Sequence, residues 1–250
     1  MTTNTTIASG ALLTPDSWLS DMLDRAVWRF GALEAVSAPA DLVPPGDGPA
    51  FAWGRVPLDC AGSGNAPLDA CLDAGYRPAE VSVTLACRPD DLLCPPVRDA
   101  LVRDAAPGDR PAVIGIARSA FTRSRFHQDR ELVGHAGDLK AAWADAFFRG
   151  ERGSAMSVAE VDGRVVGFLT TLLVDGRTMV IDLVAVEQGA RGCGIAALLT
   201  SHARAGHADV ETMLVGTQLA NRAAVGSYLR MGFQLGDAAY AMHYHRGSTA

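Results

Sequence analysis

The chain has 250 residues, 48% of them hydrophobic, and a formal net charge of −6. That is enough apolar material for one large globular domain or two small ones. No basic run suited to a phosphate backbone appears, which argues against a nucleic-acid partner. The N-terminus lacks the basic and apolar segments of a secretion signal. The longest apolar stretch, Val165 to Val174, is about half of the ~20 residues that span a bilayer, so no membrane partner is expected. The five cysteines, Cys60, Cys71, Cys87, Cys94 and Cys193, are odd in number and form no CxxC pair. A disulfide framework is not expected, and the reducing cytoplasm is the expected compartment.

In chain order, "TPDSWLSDMLDRAVWRFGALEAV" predicts a helix, because Trp18, Met22, Ala26 and Phe30 recur at helical spacing. "SAPADLVPPGDGPA" and "AGSGNAPLDA" read as loops. The passage "DDLLCPPVRDALVRDAAPGDRP" is polar and proline-containing, and a domain boundary is placed at its end. This gives a smaller N-terminal α/β domain over 1–107 and a second domain over 108–250.

In the second domain, "AVIGIARSAF" is read as a strand leading into a helix, and "DLKAAWADAFFRG" as a helix closed by Gly150. "AMSVAEVDGRVVGFLTTLLVDGRTMVIDLVAV" reads as three strands joined at Asp162-Gly163 and Asp175-Gly176. Asp-Gly between apolar runs is the strongest short hairpin signal. A helix from about Gly194 to Gly206 follows, then the strand "ETMLVGT", a helix after Asn221, and the strands "GFQLGD" and "AAYAMHYH". The fold class is therefore α/β, with a mixed and mostly antiparallel sheet. "CLDAGYRPAEVSVTL" echoes "YLRMGFQLGDAAYAM", which suggests that the first domain is a shortened relative of the second.

The turn "ARGCGIAALL" is the most informative stretch. A helix start leaves amide N–H groups unpaired at the positive end of the peptide dipoles. Gly192 and Gly194 remove side chains there, and Arg191 adds a cation, so a diphosphate can approach closely. No Gly-Lys-Ser/Thr follows, which excludes the Walker loop. The preceding strand belongs to a meander, which excludes a dinucleotide fingerprint.

"LVAVEQGARGCGIAALL" followed by "NRAAVGSYLRMGF" resembles the two signatures of the GCN5-related N-acetyltransferase (GNAT) family, over about residues 110 to 246. The resemblance implies the GNAT fold, acetyl-CoA as co-substrate and direct transfer to an amine. It maps the pyrophosphate motif onto Arg191, Gly194 and Ala196, with Gly192, Cys193 and Ile195 in the same turn. It places Asn221 at the start of the later helix and makes Tyr228 the acid that protonates the leaving thiolate. Backbone N–H groups of Val184 or Val186 would hold the oxyanion. Cys193 reads as a spectator.

"SAFTRSRFH" and "GTQLANRAAVGSYLRMG" further resemble family members that acetylate a nucleotide-linked amino-deoxysugar. A sugar nucleotide is thus the expected small-molecule amine. Arg125 is either a partner for its phosphate or an ordinary surface arginine, and Gln218 is a second candidate substrate contact. The base is unassigned: Asp182, Glu160, or a water relay at Thr217 or Gln218 would serve. His243 and His245 share a strand face but read as ordinary side chains, and no metal is expected. A homodimer is compatible with the sequence. Alternative functions are acetylation of protein or small amines, or a silent CoA-binding module.

Overall fold

The computed structural model describes residues 12–33, 38–58, 64–94 and 100–247, so Cys60 lies outside the described residues. The chain divides into two units, one reaching Ser82 and resuming at Asp237, the other being Val83–Gly236. The boundary expected near residue 108 falls inside the second unit, and the last strand returns to the first. Strand pairing explains this, because the C-terminal strand forms its ladder with residues 50–57.

The first unit begins with β1 (Thr14–Pro15) and α1 (Ser17–Leu23). Asp16 caps α1, its Oδ1 accepting from the Leu19 N–H at 3.1 Å. The helix expected to continue stops at Asp24, which is left-handed at φ 49°, and Ala26–Ala32 form β2 instead. β2 runs parallel to β3 (Ala50–Pro57), with a register slip between Arg29 and Ala32. Of Trp18, Met22, Ala26 and Phe30, read as one helix face, only Phe30 is buried and Ala26 is exposed, because the strand takes over after Asp24.

Next come α2 (Ala66–Asp73) and β4 (Arg77–Cys87). Of the loop expected over 61–70, residues 61–63 lie outside the described residues and 66–70 open α2, with Pro67 in the first turn, where a helix tolerates proline. The core of this unit includes Phe30, Leu42, Val56, Cys71 and Tyr76. Phe30 lies against Gly54, where a Cβ would come within 2.2 Å of the ring.

The second unit holds β5 (Leu101–Asp104), α3 (Arg110–Ala120), α4 (Arg125–Gln128) and α5 (Ala136–Phe148). Residues 112–121 were expected to open with a strand, but they belong to α3 and its end. Val113, Ile116 and Ala117 supply its buried face, and the strand lies upstream at β5. The three-strand meander is β6 (Ala155–Val161), β7 (Arg164–Val174) and β8 (Thr178–Val186). Its turns take positive φ at Asp162, Gly163, Asp175 and Gly176, as tight hairpins require. Then follow α6 (Ile195–Ala205), β9 (Thr212–Gln218), α7 (Arg222–Arg230) and β10 (Gln234–Arg246). β10 is one strand of 13 residues where two were expected.

The strands pair in the order β1-β2-β3-β10 and in the order β4-β9-β8-β7-β6-β5, with β4 and β10 each crossing the division between the units. The meander pairs antiparallel, and β8 pairs parallel with β9. The second core joins Val113 and Ile116 of α3 and Ala144 of α5 to Phe168, Leu183 and Ala185 of the sheet. Each such side chain contributes about 1.5–3 kcal/mol by leaving water. No described helix is long and apolar enough to cross a membrane.

The internal echo has a geometric counterpart. Gly75 after α2 and Gly232 after α7 have φ of 91° and 92°. The Tyr76 N–H donates to the Cys71 carbonyl at 2.9 Å, and the Phe233 N–H donates to that of Tyr228 at 3.0 Å. Cys71 thus occupies in the first segment the place of Tyr228 in the second.

Candidate active site

The site is built on a divergence of two strands. The β8–β9 ladder runs from Thr178 opposite Thr212 to Ile181 opposite Val215. Beyond it β8 continues to Val186 and β9 to Gln218. The parting coincides with a bulge: Thr170 faces Leu183 and Thr171 faces Ile181, which leaves Asp182 as the extra residue. The Thr170 hydroxyl repairs the ladder by accepting from the Leu183 N–H at 3.1 Å.

Orientation follows from alternation along the strand. The N–H groups of Leu183 and Glu187 donate toward β7, to Thr170 and Val166. Those of Val184 and Val186 therefore point to the opposite edge, where β9 has parted. Preorganised N–H groups in such a cleft suit a developing oxyanion.

At the end of β8 stands the glycine turn. Gly192 and Gly194 both have φ of 81°, a conformation that costs most side chains about 1–2 kcal/mol. A Cβ at Gly192 would meet nothing within 4 Å, so backbone conformation alone demands glycine there. Gly194 caps α6, Ile195 is buried in its first turn, and the Ala196 carbonyl accepts from the Thr200 hydroxyl at 2.8 Å. The Arg191 guanidinium donates to the Val186 carbonyl at 2.9 Å and to the Ala120 carbonyl at 3.0 Å. It therefore braces the turn between β8 and the end of α3, with its charge beside the turn. Cys193 is exposed. The bare amides, the dipole of an 11-residue helix and the adjacent guanidinium fit a diphosphate.

On the other strand, Thr217 is buried and Gln218 partly so. The Gln218 carbonyl accepts from the Asn221 N–H at 2.9 Å. The Asn221 Oδ1 then caps α7 by accepting from the Ala224 N–H at 3.3 Å. Tyr228, two turns along, is buried with its ring edge-on to Phe233 at 5.5 Å. Burial pushes its phenol well above the usual range, so the hydroxyl keeps its proton.

Neither carboxylate named as a base stands free. Both oxygens of Asp182 are held by Arg152, at 2.6 and 2.7 Å, and Oδ2 also accepts from Trp143 Nε1 at 3.0 Å. Glu160 accepts from Arg103, which also grips Asp109. Arg125 lies over the ring of Phe126, 4.7 Å from its centroid. His243 and His245 both pack on Phe51, with ring centroids 4.9 Å away in each case.

One group of residues escaped the sequence reading. Lys140 is the single lysine among 22 Lys and Arg residues. It is buried, with Nζ 4.3 Å from the Trp143 ring and 4.9 Å from that of Phe121. Ser124 Oγ lies 2.7 Å from His127 Nδ1. The solitary lysine in an arginine-rich chain was the available signal.

Comparison with known proteins finds acetyltransferases. Residues 116–233 match the model of the acetyltransferase (GNAT) family. The spore coat polysaccharide biosynthesis protein SpsD of Bacillus subtilis is 34% identical over 147 residues, which is 58% of this chain and 50% of that protein. The chain thus spans about half the length of that relative. The dTDP-fucosamine acetyltransferase of Escherichia coli is 27% identical over 192 residues, 76% of this chain and 82% of that one. In fold, a GCN5-related N-acetyltransferase from Kribbella flavida covers 97% of this chain and 89% of its own, with TM-score 0.62 and 13% identity. What these comparisons share is the acetyltransferase (GNAT) family, whose model matches residues 116–233 of this chain.

Proposed function

We propose that the chain transfers an acetyl group from acetyl-CoA to the amino group of a nucleotide-linked amino-deoxysugar. The observation that carries the transfer reaction is the parting of β8 from β9 with the glycine turn at its end and Tyr228 on the helix after β9. The sugar acceptor rests on likeness to dTDP-fucosamine acetyltransferase and to SpsD.

Acetyl-CoA supplies an activated acetyl thioester. Arg191, Gly192, Cys193, Gly194, Ile195 and Ala196 would hold its pyrophosphate through backbone amides and one fixed charge. Val184 and Val186 would receive the oxyanion on their N–H groups. A free amine of pKa ~10 is only ~0.1% neutral at pH 7, a cost of ~4 kcal/mol, so a proton acceptor is required. At the other end, Tyr228 supplies a proton to sulfur. Its raised pKa is matched in sense by the thiolate, which the same burial also destabilises. Asn221 positions Tyr228 by capping α7. The first unit, with Cys71 where Tyr228 would stand, is read as a non-catalytic relative.

A mass-resolved screen of amino-sugar nucleotides, polyamines and peptides with acetyl-CoA tests the acceptor. An amino-sugar nucleotide with the highest kcat/KM is expected. A peptide or polyamine that exceeds every sugar nucleotide would replace this reading with acetylation of those amines.

A further inference from the structure

We infer that His127, held by Ser124 and bounded by Lys140, is the base that takes the proton from the acceptor amine. The inference rests on acetyl transfer to an amine but not on which amine. Both carboxylates that might have served are committed to arginines. His127 belongs to a cluster tied at two points to the β8 edge of the site. On one side, Arg191 of the glycine turn holds the Ala120 carbonyl, and the segment from Phe121 to His127 follows directly. On the other, Lys140 lies on Trp143, whose Nε1 donates to Asp182 at the bulge of β8. The cluster is thereby fastened to the turn and to the strand that frame the cleft.

The chemistry of the cluster suits a base. In the tautomer that donates Nδ1–H to Ser124 Oγ, 2.7 Å away, the lone pair of His127 sits on Nε2. His127 is half-buried, and burial first, then the charge of Lys140, hold its pKa below the ordinary histidine value. Arg123 and Arg125 before it, Asp129, Arg130 and Glu131 after it, and His135 and Asp138 at the start of α5 are the other charged or titratable groups nearby in the chain. Lys140 is the one whose charge acts on it. The imidazole is thus neutral and ready at pH 7.

The step balances. The nitrogen–carbon bond forms, and the carbon–sulfur bond breaks with its electron pair leaving on sulfur. The ammonium proton goes to solvent before attack; His127 then takes the second proton that the attacking nitrogen loses, and Tyr228 gives one to sulfur. Solvent exchange then returns both residues to their starting states. His127 need not be a strong base, because the nitrogen becomes acidic once it has bonded to carbon.

The experiment uses the full chain and whichever amine the wild type acetylates, so failure of the sugar assignment leaves it intact. His127→Gln should lower kcat/KM by ~10²-fold or more, with acetyl-CoA affinity by calorimetry unchanged. Lys140→Met should move the acid limb of the kcat/KM profile to higher pH, because His127 then titrates nearer its ordinary value. Independently of turnover, ¹⁵N spectra of the resting protein should show His127 with an unprotonated Nε2, and its titration should rise in Lys140→Met. The proposal is overturned by a wild-type rate in His127→Gln, by an acid limb that Lys140→Met leaves in place, or by a protonated Nε2 at neutral pH.

Discussion

Arg152 grips both carboxylate oxygens of Asp182, at 2.6 and 2.7 Å, at the point where β8 bulges away from its ladder. An acidic side chain next to the cleft invites assignment as a base, yet this one is spent on structure. Asp182→Asn keeps an acceptor for Trp143 and loses the ion pair. The Arg152 side chain is 37% exposed, so solvent screens part of the loss, and a destabilisation of about 1–2 kcal/mol is expected. Urea denaturation and steady-state kinetics on the same sample check this. A fall in kcat beyond ~10²-fold at unchanged stability would return Asp182 to the chemistry.

Tyr228→Phe keeps the ring against Phe233 and removes the proton. Loss of a positioned acid should lower kcat by ~10²-fold, about 3 kcal/mol, with little change in acetyl-CoA affinity. A weaker affinity at constant kcat would make Tyr228 a binding residue instead.

Gly194→Asp places a side chain on a residue with φ of 81° and a negative charge at the start of α6. Backbone strain should cost about 1–2 kcal/mol of stability. The affinity for CoA should fall at least tenfold, because the carboxylate competes for the amides that a phosphate would use. Calorimetry on folded wild type and variant decides it, and equal affinities would remove the turn from the binding site.

Acid stability should depend on Asp109. Hydrogen bonds from Arg103 hold its carboxyl below the ordinary range in the folded chain. The stability this contributes is present above the unfolded pKa of about 3.9 and is lost as pH falls through the lower folded value. Asp109→Asn should therefore be less stable than wild type at pH 7, and the difference should shrink below about pH 4. Thermal melts from pH 7 to pH 2.5 measure it, and a constant difference would contradict the assignment.

Cysteine reactivity should divide by burial. Burial pushes the Cys71 thiol up to about 11, and Cys87 is buried as well, whereas Cys94 and Cys193 are exposed. Iodoacetamide at neutral pH should label the second pair and spare the first. Acetyl-CoA should protect Cys193, which lies inside the glycine turn, and leave Cys94 open. Equal labelling of Cys193 with and without acetyl-CoA would count against the turn as its site.

The sequence by itself determined the features that depend on neighbouring residues. The hairpins at Asp162-Gly163 and Asp175-Gly176 and the left-handed glycines of the turn were legible because φ preference is local. So was Asn221 as a helix start, since its side chain reaches the Ala224 N–H three residues on. Tertiary structure alone decided what depended on partners distant in the chain. The ladder that makes Ala26–Ala32 a strand exists only against β3, so the spacing of Ala26 and Phe30 passed for a helix in the sequence. The fate of Asp182 was set by Trp143 and Arg152, 39 and 30 residues away. The cluster of Phe121, Ser124, His127, Lys140 and Trp143 forms only once α5 packs along α3. Local propensity is written in adjacent side chains, whereas ion pairs and buried charges depend on which surfaces folding brings together.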